Sequence, residues 1–87
     1  LIIGTIICQL GALIGGEAGT YLTTTTVNMR DKAGLDTKVL TIVPEGKKVF
    51  NYGWYSVANG RKWLWVCTTI DGTEYTGFIS ERVLKHA

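Results

Sequence analysis

The chain has 87 residues, with nine Lys/Arg against seven Asp/Glu, a formal charge of +2, eleven Gly, one Pro and two Cys. Such a length makes one small domain, able to bury about 60% of its unfolded surface, and leaves little room for a second. The charge is too small to draw nucleic acid by bulk electrostatics, and residues 21–87, which hold every Lys and Arg, reach only +3. Two isolated Cys offer neither a CxxC pair nor a metal-ligand spacing. Cys67 reads as a small apolar strand residue, and a bond to Cys8 would need Cα atoms within about 7 Å.

Residues 1–16 are almost wholly apolar, broken only by Thr5 and Gln9. The run is shorter than the ~20 residues that cross a bilayer. It reads as a membrane anchor whose start precedes Leu1, with Gly11 and Gly15 in a GxxxG pair, as an uncleaved secretory signal, or as an element buried against an upstream domain. Residues 1–20 are therefore expected to be an apolar segment plus linker, and residues 21–87 the domain.

From Tyr21 to Arg30 the side chains alternate, and four consecutive threonines, stiff at χ1, favour a strand with one wet face. Residues 31–36 form a polar loop punctuated by Gly34. A second apolar run, Val39 to Val43, ends at Pro44-Glu45-Gly46-Lys47, which reads as a type II turn. The next strand starts at Lys48 and runs to Tyr55 or Val57, interrupted by Gly53. Asn59-Gly60 and Asp71-Gly72 both tolerate positive φ and predict two-residue hairpin turns around the run from Arg61 to Ile70. Ser80-Glu81-Arg82 can make one turn that returns Val83 and Leu84 to the core. Short strands with turns at roughly 8- to 12-residue spacing predict an all-β fold, a small SH3-like barrel of five or six strands.

Four pieces then carry a resemblance: Val27-Asn28-Met29-Arg30; Pro44-Glu45-Gly46-Lys47-Lys48-Val49; Lys62-Trp63-Leu64-Trp65-Val66; and Gly77-Phe78-Ile79-Ser80. In that order and spacing they resemble the bacterial SH3 (SH3b) domain, whose pattern is an L-N-V-R opening, a K-G-x-x-V turn, a W-x-x-V strand and a G-[WYF]-[VI]-S closing. The likeness covers about residues 21–85. It implies a bent β-barrel acting as a non-catalytic module that targets cell-wall hydrolases, endolysins or envelope proteins to peptidoglycan, outside the cytoplasm. The chain departs from the pattern in having Met29 at an aliphatic position, Asp31-Lys32-Ala33-Gly34 in the first loop, and a long, aromatic segment over residues 51–60.

A receptor for stem peptides or glycans needs flat aromatic walls, donors and a cation or two. Trp54 and Tyr55 lie in the Gly-containing segment, and Tyr75 sits on the hairpin partner strand. If Leu64 and Val66 point inward, Trp63 and Trp65 point outward. The expected groove is walled by Trp54, Tyr55, Trp63 or Trp65, and Tyr75, with Arg30 or Lys62 at its rim, although core packing competes for each ring and Arg30 equally suits tying down its own loop. His86, the lone histidine, sits beside the C-terminus without an orienting partner. No paired carboxylates, phosphate loop or metal cluster accompanies it, so neither catalysis nor a cofactor is expected. The alternative from another class is an SH3-like structural or docking subunit, held at a membrane through residues 1–16 or joined to an upstream hydrolase domain or membrane protein. A nucleic-acid barrel would need basic residues interleaved with aromatics, and no nucleic-acid partner is expected.

Overall fold

The computed structural model describes Ile14, Gly15 and residues 17–87; the anchor, signal and buried-element readings of residues 1–16 thus fall almost wholly outside it. Eight strands follow in chain order: β1 (Ile14–Gly15), β2 (Gly19–Thr23), β3 (Val27–Arg30), β4 (Val39–Val43), β5 (Lys48–Ala58), β6 (Arg61–Ile70), β7 (Thr73–Ser80) and β8 (Leu84–His86), with one 3-10 turn at Glu81–Val83. No α-helix occurs among the described residues, so the all-β expectation holds.

Hydrogen bonding joins the strands into a single antiparallel sheet in the order β4-β3-β7-β6-β5-β2-β8, with β1 added beside β5. The two ends, β4 and β8, are not paired with each other, so the ladder is open. The sheet is nevertheless curled. A flat layer is about 10 Å thick, whereas the smallest extent of this molecule is 24 Å.

Local chemistry explains the turns. Asn59 and Gly60 have φ of 54° and 69°, and Asp71 and Gly72 have 50° and 81°. Both central residues are left-handed in each pair, the twist that continues two strands as a hairpin. Gly77 is required for a different reason: a Cβ there would lie 2.6 Å from the Arg30 carbonyl oxygen and 2.8 Å from Met29 Cγ, and this close approach is what lets β7 pass β3.

Residues 21–30 are not one strand. Thr24 N–H donates to the Val83 carbonyl at 2.8 Å, and buried Thr23 donates through Oγ1 to the Pro44 carbonyl at 2.7 Å while accepting from Lys47 N–H at 2.9 Å. These bonds bend the chain, and the two halves serve opposite ends of the sheet: β2 between β5 and β8, β3 between β4 and β7. Pairing also begins upstream of residue 21, since Ile14–Gly15 and Gly19 lie in strands along β5.

Both faces of the central hairpin are buried. Inside the curl, Tyr21, Met29, Val43, Val49, Leu64, Val66, Ile79 and Leu84 form the main core. On the outer face, Trp63, Trp65 and Phe78 form a second cluster against Ala33, Tyr52, Trp54 and Ala58. The Trp65 and Phe78 rings meet at 4.9 Å, and Trp63 donates its indole N–H to the Ala58 carbonyl at 2.9 Å.

Val66 is fully buried, so Val66→Ala is expected to cost about 1 to 3 kcal/mol through lost transfer energy and a residual cavity, and Gly77→Ala a similar amount through overpacking; denaturant melts measure both. At the edge of the second cluster, a hydrogen bond with Cys67, and then burial, hold the Tyr52 hydroxyl above the ordinary tyrosine range. A raised folded-state pKa favours the neutral phenol. Its contribution to stability is therefore complete below the ordinary tyrosine pKa and is lost as pH rises through the raised value. Ultraviolet titration should show a late-ionising phenol that Tyr52→Phe deletes, with no stability slope from this group near neutrality.

Candidate functional site

The site is built on an irregularity in β5. Asn51 pairs with Val66 and Tyr55 with Leu64, so four steps along β5 oppose two along β6. A shift of two residues keeps the alternation of faces, where a shift of one would invert it. Gly53, at φ 97°, makes the bend, and Asn51 holds it: its Oδ1 accepts from Gly53 N–H at 2.9 Å and its Nδ2 donates to the Glu17 carbonyl at 2.6 Å. Along the outer side of the bulge β1 pairs with Trp54 and Tyr55.

Beyond the bulge, Trp54 and Tyr55 are half-buried and line a cleft of about 510 Å³ together with Tyr21, Lys62, Glu17 and Glu81; Lys85 and His86 of β8 complete its wall. Lys62 Nζ stands 4.8 Å from the centre of the Tyr55 ring, within the range of a cation–π contact. The His86 ring lies 4.4 Å from that of Tyr21, and its Nε2 is 3.4 Å from Glu17 Oε1. With these side chains 63% and 76% exposed, the pair contributes little to stability. What it does is set an imidazole and a carboxylate side by side in the cleft wall. The Tyr21 hydroxyl also donates to the Glu17 carbonyl, at 3.3 Å, which fixes the backbone of this acidic residue from a second direction.

Three of the expected groove residues, Trp54, Tyr55 and Lys62, thus come together. The others do not. Trp63 and Trp65, 2% and 7% exposed, are packed into the second cluster rather than standing as open walls, because Ala33 and the rings of the bulge cover that face. Tyr75 pairs across the hairpin with Thr68 and packs half-buried against the main core. Arg30 donates from Nη1 to the Thr37 carbonyl at 2.7 Å, which ties down the loop before β4. Sequence reasoning missed Glu17, Tyr21, Glu81, Lys85 and His86. The one available signal was the alternation after the 3-10 turn, with Leu84 inward, which makes β8 a strand rather than a frayed end.

The cleft offers ring faces, two ammonium groups, two carboxylates and an imidazole, a set suited to holding a polar ligand that carries both signs of charge. Among the described residues, no three His, Cys, Asp or Glu side chains gather as metal ligands. Compared with known proteins, the chain matches no family model, no curated protein and no solved structure.

Asn51, only 1% exposed, bonds both arms of the bulge. Asn51→Leu leaves the Glu17 carbonyl and the Gly53 N–H without those partners and is expected to cost about 1 to 3 kcal/mol. Amide exchange should show the loss concentrated at residues 14–19 and 52–55.

Proposed function

We propose that this curled sheet is an SH3-like barrel of the bacterial SH3 kind, serving as a non-catalytic module that binds peptidoglycan at the cell envelope and brings an attached or partner protein to it. The observation that carries the proposal is the convergence of Trp54, Tyr55 and Lys62 in one cleft with acids and bases around them. A stem peptide presents methyl groups, amides, free carboxylates and an amine. Ring faces suit the first two, Lys62 and Lys85 the carboxylates, and Glu17 and Glu81 the amine.

A second reading, a protein-docking subunit, is favoured by β4, an end strand of the sheet that exposes Val39 (41%) and Ile42 (59%). An unpaired edge is a template for strand addition by another chain.

Co-sedimentation of the whole chain with purified peptidoglycan, beside DNA-cellulose and lipid vesicles, tests the choice. Retention by peptidoglycan alone is expected, weakened about tenfold by Trp54→Ala or Lys62→Gln and unchanged by Ile42→Ser. Because Trp54 packs against the second cluster, a melt of the variant must accompany the binding curve. Normal binding by both cleft variants overturns the site, and a loss with Ile42→Ser points to the edge strand instead.

A further inference from the structure

A second hollow, of about 240 Å³, lies where β3, the start of β6 and the end of β7 meet, and it shares no lining residue with the cleft. Asn28 and Arg30, two apart on β3, line it with Arg61, Trp63, Val27 and Val83. The two arginines are positioned through one loop, residues 31–38. Arg30 is fixed by its bond to the Thr37 carbonyl at 2.7 Å. The turn before Arg61 is tied to the same loop, because Leu35 N–H donates to Asn59 Oδ1 at 2.8 Å, and the Arg61 guanidinium lies 6.0 Å from the centre of the Trp63 ring.

Neither arginine is held in an ion pair among the described residues. No Asp or Glu lines the hollow, and the ion pair found among the described residues is His86 with Glu17, at the other site. Among the described residues, two buried side-chain atoms lack a hydrogen-bond partner: Arg61 Nε, and Asp31 Oδ1 on the residue after Arg30. A buried donor left unpaired costs free energy, and such exceptions point to a group that completes them. Two guanidinium groups lining one small hollow repel each other until an anion joins them.

From this we infer that the hollow is a binding site for a carboxylate on a short aliphatic stem, such as the carboxyl end of a peptide. Guanidinium groups match a carboxylate by paired, charge-assisted N–H···O bonds. The half-buried side chains of Val27 and Val83 give an aliphatic stem a surface to cover, which a bare oxyanion such as phosphate does not use. The site stands independently of what occupies the cleft, and one chain thus holds two separate subsites.

The test is a nitrogen-15 NMR titration of the whole chain with N-acetylalanine, with its neutral amide, and with inorganic phosphate. The Nε–H signals of Arg30 and Arg61 and the indole N–H of Trp63 report on the hollow; the indole N–H of Trp54 reports on the cleft. Expected are saturable shifts at the hollow with N-acetylalanine, and binding of the amide and of phosphate weaker by about tenfold or more. Arg61→Gln should weaken N-acetylalanine by about tenfold and Arg61→Lys by less, since Lys keeps the charge and loses the fork. Equal binding of acid and amide, tighter binding of phosphate, or shifts confined to Trp54 would each overturn the proposal. The comparison of acid with amide uses the unaltered chain and so stands even if the variants fold poorly.

Discussion

The buried side chain of Asn51 is the constraint on which the arrangement of this molecule turns. An amide 1% exposed needs its partners, and Asn51 finds them in two places that regular strand pairing would not bring together: Gly53 N–H within the bulge and the Glu17 carbonyl on the neighbouring strand side. The first bond makes room for two extra residues in β5. The second draws the chain before β2 alongside them. Trp54 and Tyr55, Glu17 and the β1 pairing all follow from one residue's hydrogen-bonding demand, and so does the cleft they line.

Size explains the second aromatic cluster. An 87-residue chain has little interior to fill, and one layer of core inside a curled sheet buries too little apolar surface for comfortable stability. Covering the outer face of the β6–β7 hairpin with Ala33, Tyr52, Trp54 and Ala58 adds Trp63, Trp65 and Phe78 to the buried total. Each large ring so placed removes on the order of 150 to 250 Å² from water. The same covering fixes the loop before β4 against the turn at Asn59, so the aromatic cluster also sets the position of Arg30 relative to Arg61.

What was legible in the sequence was local. Asn59-Gly60 and Asp71-Gly72 announce their positive φ through residue type alone, and the strands they join follow directly. The pairing of Trp54 with Tyr55 beside Lys62 was also readable, because Gly53 marks an interruption and the hairpin brings Lys62 across. Illegible were the features that depend on distant chain. Alternation says that Trp63 and Trp65 share a face, but not that a loop thirty residues earlier covers it. Four threonines favour extended backbone, but the bend among them is imposed by the Val83 and Pro44 carbonyls. His86 looked like a loose end because its partner Tyr21 lies at the opposite end of the domain sequence.

The adjacent residues Arg61 and Lys62 show how little sequence is needed to divide two recognition chemistries. Successive side chains on a strand point to opposite faces. Arg61 therefore goes with Trp63 to the outer face and lines the cationic hollow, while Lys62 goes with Leu64 and lines the cleft, where carboxylates balance it. A pair of basic residues after a hairpin turn reads as solvated surface when taken as a cluster. Taken one residue at a time, with the period of two, it becomes a boundary: on one side a site of mixed charge between aromatic rings, on the other a hollow lined by two arginines and no carboxylate. The burial of Leu64 and Val66 on one face and Trp63 and Trp65 on the other pins the register of β6, and with it which of the two basic residues faces which way.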